Sequence, residues 1–415
     1  LTLLSEDNPT HAHWVDFFGG SVDIDGELLV SGAPLWGRPP GDGTGAAYVY
    51  RRSAEGDWQT EAYLIPSDRI GGIQFDQHFG ETIALNEGMI AVGAPGADDP
   101  QAGVDTGAVY IFENNDNAWV ETAKLVTSLR KPGAEFGTGL ALDGEYLAVS
   151  GSPEAGFVVI FRRETAGWRE MAPVPVPSFP DRKPEVLLDL YGETLAISTV
   201  TMPPSPPDGA DEEAFVRSLK TAGVVTLYER SGDGWNQTFN TPPQEASLYR
   251  MTEEAPFGLP VSLGGEGGQA SLLAVGKPGF PGSGRETGSV AIFERVDDRW
   301  VPESELALAD QDPVSGAFRL GRVPGDPGPD PGAAFFGAFV AFEGSRLAVV
   351  STFANAVYVF DRQGSDWVYP YLVTPAPGFG DDFQRRTVAI SGDSLLLGSP
   401  GELGGGYLFL FDLSP

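Results

Sequence analysis

One segment recurs along this chain, and nothing else in the sequence constrains its fold as tightly. Seven copies in 415 residues give about 59 residues per copy. The first copy reads Phe18-Gly19, then Leu28-Leu29-Val30-Ser31-Gly32-Ala33-Pro34, then Gly45-Ala46-Ala47-Tyr48-Val49-Tyr50, then Trp58. The second repeats it as Phe79-Gly80, Ile90-Ala91-Val92-Gly93-Ala94-Pro95, Gly107-Ala108-Val109-Tyr110-Ile111-Phe112 and Trp119. The third keeps Phe136-Gly137, Ser150-Gly151-Ser152-Pro153 and Trp168. The fourth is worn: it retains Leu195-Ala196-Ile197-Ser198 and Trp235 without a Phe-Gly pair. The fifth has Phe257-Gly258, Gly276-Lys277-Pro278, Gly288-Ser289-Val290-Ala291-Ile292-Phe293 and Trp300, and the sixth has Phe336-Gly337 and Trp367. In the seventh, Gly398-Ser399-Pro400 and Tyr407–Phe411 survive, but Gln384-Arg385 stand where Phe-Gly is expected.

Each copy holds four short β-rich runs. Turns as tight as Asp25-Gly26 or Asp143-Gly144 join the first two, and short polar turns join the last two, so each copy is a four-stranded antiparallel meander. A sheet of this kind repeated seven times is expected to form an all-β, seven-bladed β-propeller, each blade covering the next. The inner runs are small and apolar on both faces, as burial between two neighbouring sheets requires. The expected blades are 18–64, 79–125, 136–172, 186–240, 257–308, 336–372 and 384–413. The last ends without its Trp-led strand, so residues 1–17 are expected to supply the outer strand of that blade plus a linker, closing the ring and making 1–415 one complete domain. Asp211–Lys220 is the one helical candidate, inside a loop.

Composition narrows the function. Gly and Pro supply 90 of the 415 residues, nearly double the usual share, as a turn-rich chain demands. Lys and Arg total 26 against 58 Asp and Glu, a net charge of −32. That field repels phosphate backbones, so no nucleic-acid partner is expected. Only 5 of the 26 basic residues are Lys, a balance suited to high salt, with steering of a basic partner as the rival explanation. With Cys 0 there are no disulfides or thiolate sites, and His 3 leaves little room for imidazole chemistry. No run approaches the length of a transmembrane segment, and no signal peptide is present in the chain as given.

At its Phe-Gly and Gly-Ala-Pro motifs the chain resembles the FG-GAP repeat family, which includes the seven-bladed propellers of integrin α-subunits. It is most similar to bacterial proteins built only of such repeats. The resemblance implies binding or cell adhesion more often than catalysis, and an extracellular, cell-surface or periplasmic location. Integrin-type repeats carry calcium in an Asp-x-Asp-x-Asp-Gly loop. Here that loop shrinks to Asp25-Gly26, Asp143-Gly144 or Glu343-Gly344, too short to supply six to eight oxygens. The family's calcium sites are not carried over, no cofactor is expected, and Ca²⁺ binding by other acidic loops stays open.

Long loops fall between the second and third strands and between blades, on one face, which is where binding residues usually sit. Candidates on that face are Trp36 and Arg38, an off-pattern pair that is either a contact anchor or a cap on the core. Asp98, Asp99 and Asp105 cluster in the second copy, and Asp381 and Asp382 add to the same negative face. His78 precedes Phe79-Gly80 near the expected central channel. His11 and His13 read as exposed linker residues, and the recurring Trp residues read as core. No hydrolase motif such as Gly-x-Ser-x-Gly or His-Glu-x-x-His occurs. The expected function is therefore a non-enzymatic, exported propeller that binds a protein partner. A carbohydrate-binding lectin is the second reading, and a hydrolase or lyase with channel carboxylates the third.

Overall fold

A computed structural model describes residues 2–4, 16–36, 44–68, 77–116, 118–152, 156–176, 184–201, 220–241, 244–247, 260–278, 288–307, 318–319, 336–352, 356–374, 387–400 and 406–414. All regular structure among them is strand. It forms seven four-stranded antiparallel sheets, three of which take a short fifth strand. The fold is an all-β, seven-bladed β-propeller. The helical candidate Asp211–Lys220 lies outside the described residues apart from Lys220, which opens a strand. Among the described residues, no helix is long and apolar enough to cross a membrane. The chain divides into two compact units, Leu1–Pro175 with Gly380–Pro415, and Val176–Phe379.

The first unit holds blades one, two, three and seven. Blade one runs Val22–Asp25, Leu28–Ala33, Ala46–Arg52 and Trp58–Leu64, and blade two runs Thr82–Asn86, Met89–Ala94, Ala108–Asn115 and Ala118–Leu125. The burial gradient follows from which sheets have neighbours on both sides. Leu28–Ala33 and Met89–Ala94 are buried at every position, whereas the outermost strand Ala118–Leu125 alternates exposed and half-buried residues up to its buried last residue, Leu125. The outer hairpin also carries a bulge, between Val49 and Tyr50 in blade one and between Ile111 and Phe112 in blade two. The same irregularity recurs in blades four, five and six. Such an extra residue bends and twists the outer strand. In blade seven, Thr2–Leu4 is the outermost strand, antiparallel to Tyr407–Asp412 with Leu3 opposite Leu408.

The Phe-Gly motif is where one blade meets the next. Phe18, Phe79 and Phe136 are at most 2% exposed. Phe79 meets Tyr110 edge to face at 5.4 Å, and its backbone bridges Gly45 of blade one. The second-strand glycine that faces the next blade's motif has no room for a side chain: a Cβ on Gly93 would lie 2.3 Å from the Gly137 carbonyl, and one on Gly32 would lie 1.9 Å from that of Gly80. The residue ahead of the motif takes a left-handed conformation whatever its chemistry, as Phe17, His78 and Glu135 all do.

Side chains on the first strands then stitch neighbouring blades laterally. Asp23 accepts from the backbone N–H of Leu85 at 2.7 Å, and Asp25 from that of Glu87 at 2.7 Å. Asn86 accepts from Gly144 N–H at 2.9 Å, and Ser391 from Gly26 N–H at 3.1 Å. The Asp25-Gly26 turn therefore spends its carboxylate on the next blade's turn.

The second unit holds blades four, five and six and obeys the same rules. Asp189 accepts from Leu263 N–H at 2.6 Å, and Ser262 from Phe342 N–H at 3.0 Å. A Cβ on Gly276 would lie 2.2 Å from the Gly337 carbonyl. Blade five, Val261–Glu266, Gln269–Lys277, Ser289–Val296 and Arg299–Ala307, has the two-residue strand Phe318–Arg319 laid parallel along its outer edge at Leu306–Ala307.

Candidate functional site

In the first unit the long loops and blade linkers run together on one side of their sheets. Phe79 N–H donates to Thr44 C=O at 3.0 Å, and Gly96 N–H to Gln77 C=O at 3.1 Å. In blade two the contact becomes a zipper. Gly133, Glu135 and Phe136 donate to the carbonyls of Val104, Asp105 and Thr106 at 3.1, 2.9 and 3.1 Å. Loop 96–106 is thereby held flat against linker 130–136.

Three predicted residues meet in that loop. Asp99 Oδ1 accepts from the N–H groups of Gln101 and Ala102 at 2.7 and 2.9 Å, and Oδ2 pairs with Arg130 Nε at 3.1 Å. Its backbone exchanges two bonds with Gly103. Asp98 Oδ1 accepts from Asp105 N–H at 2.9 Å, which fixes Asp105 in the left-handed region at φ 51°. The two backbone donors hold the Asp99 carboxyl below the usual aspartate range, and Arg130 pulls the same way. The Asp98 and Asp99 carboxylates organise their own loop. Among the described residues no three His, Cys, Asp or Glu side chains converge as a metal site would require. What the loop presents outward is Val104, 61% exposed, with Leu129 of the adjoining linker 42% exposed.

Trp36 and His78 sit apart from this cluster. Trp36 is half-buried and packs on the cluster holding Phe18, Tyr48 and Tyr50, and its carbonyl accepts from Gly45 N–H at 3.0 Å, so it ends the blade's core. His78 occupies the left-handed position that Phe17 and Glu135 fill in the neighbouring blades. Its Nδ1 lies 3.5 Å from Glu81, and its carbonyl accepts from Glu81 N–H. Arg38, Asp381, Asp382, His11 and His13 lie outside the described residues.

Three polar clusters escape a reading based on motifs. Glu61, on the outer strand of blade one, accepts from Trp119 Nε1 and Asn114 Nδ2 of blade two, both at 3.0 Å, and from Arg51 at 2.6 Å. Glu303 of blade five does the same for Trp367 Nε1 at 3.0 Å and Arg362 at 2.8 Å in blade six. Trp119 and Trp367 thus add a directed bond to their packing. In the linker after blade one, Asp68 accepts from Tyr110 Oη at 2.9 Å and from Lys124 Nζ at 2.5 Å. Burial opposes ionisation of Asp68, but the Lys124 and Tyr110 bonds outweigh it and hold its carboxyl low. Burial, and then the Asp68 charge, push the Tyr110 hydroxyl far above its ordinary value.

Comparison with known proteins agrees with this architecture. Residues 12–50 and 58–112 match the family model described as FG-GAP repeat, so the chain carries FG-GAP repeats. No curated protein sequence matches it. Among solved structures, a chain of the mitotic checkpoint complex aligns over 97% of this chain and 94% of its own, at 11% identity and a TM-score of 0.50. A putative 6-phosphogluconolactonase from Bacteroides uniformis aligns over 86% and 85%, at 12% identity and a TM-score of 0.47. Sqt1 of Saccharomyces cerevisiae aligns over 99% and 98%, at 9% identity and a TM-score of 0.45. At 11% identity the checkpoint-complex alignment shows the fold alone.

Proposed function

We propose that this FG-GAP repeat propeller is a non-enzymatic binding module, exported or surface-displayed, that engages a protein partner through its long-loop face as part of a larger assembly. The observation that carries this reading is loop 96–106. The carboxylates of Asp98 and Asp99 are spent on the loop's own backbone and on Arg130, and its most exposed apolar side chain, Val104, is held outward on a backbone zipped to linker 130–136. A preformed loop loses little conformational freedom on association, so its contact area converts to affinity efficiently. A carboxylate cluster arranged for catalysis would leave oxygens directed at a common point instead.

The test is cross-linking mass spectrometry on the native source, with partner retention measured for the wild-type chain and for Val104→Asp. The expected result is a protein cross-linked through residues 96–136 whose retention falls at least about tenfold in the variant. Equal retention by Val104→Asp, or cross-links confined to the tight-turn side, overturns the reading.

A further inference from the structure

We draw no further inference here: the strongest candidate, the exposed apolar surface patch of Tyr63 and Ile65 at the end of the outer strand of blade one, carries nothing because nothing in the structure shows what covers it.

Discussion

Blade two and blade five are built on the same ladder, with the same bulge in the outer hairpin and the same glycine pressed against the following blade. They differ at the loop end, where blade two has Ala94, Ala108 and Tyr110 and blade five has Lys277, Ser289 and Ala291. The contrast separates two kinds of constraint. Positions that touch the next blade's backbone are held alike in both, because a wrong atom there collides with something that cannot move. Positions at the loop end are free to change chemistry, because they border the connectors rather than another sheet.

The strongest way to break this comparison is to attack the shared glycine. Gly93→Ser places a Cβ 2.2 Å from Thr82 Oγ1 and 2.3 Å from the Gly137 carbonyl. It should cost about 3 kcal/mol in urea denaturation, as severe overpacking does. Gly276→Ser, 2.2 Å from Gly337 O, should cost as much. Ser150 stands at the equivalent place in blade three, ahead of the copy that lacks Phe-Gly. Ser150→Gly should cost no more than about 1 kcal/mol. A Ser150→Gly loss as large as that of Gly93→Ser would break the link between the glycine and the motif it faces.

A smaller effect is expected where the outer strands are joined. Glu61→Ala strips Trp119, Asn114 and Arg51 of their acceptor, and Glu303→Ala does so for Trp367 and Arg362. Each should cost about 2–3 kcal/mol, the range for losing a charged acceptor. Trp119→Phe, which deletes one donor and keeps the ring, should cost about 1 kcal/mol. Equal denaturation midpoints for Glu61→Ala and wild type would reduce the joint to a crystallographic-style surface pair of no consequence.

The smallest effect separates the two loop ends by pH. Asp99 in blade two and Glu305 in blade five both have carboxyls held low. For Asp99 the cause is its backbone donors; for Glu305, burial opposes ionisation but the Ser289 and Lys277 bonds outweigh it. A carboxyl whose folded value is depressed contributes stability above its unfolded value, about 3.9 for Asp and 4.3 for Glu, and loses it as pH falls through the folded value. The Gln101 and Ala102 amide resonances should therefore hold steady down to about pH 4 and move only below it. Movement centred above the ordinary aspartate value would show that Asp99 is not held by those donors.

Much of the fold was legible because the repeat encodes it redundantly. Phe79-Gly80 or Gly93-Ala94-Pro95 alone says little, but their return at fixed distance fixes four strands per copy and the faces they bury. The outer bulge was not legible, since one extra residue leaves the half-exposed pattern of Trp58–Leu64 almost unchanged. The Glu61–Trp119 joint spans 58 residues and lies across two blades. Its trace was available as Trp-x-x-Glu, present at Trp58–Glu61 and Trp300–Glu303 and absent from the other Trp-led strands. At the loop face, the grouping of Asp98, Asp99 and Asp105 could be read from the chain, but the side to which their oxygens turn could not. That depends on Arg130 and on backbone amides that no motif announces. His78 drew attention as a histidine, whereas its place is set by backbone conformation and shared with Phe17 and Glu135.

The hairpin turns at Asp25-Gly26, Asn86 and Ser391 have a practical consequence for anyone who would modify this scaffold. Each turn delivers an acceptor to the amide of its neighbour, so lengthening one by even a residue unhooks two blades at once. Cargo, tags or affinity loops belong on the opposite rim, where natural insertions of very different size are already accommodated.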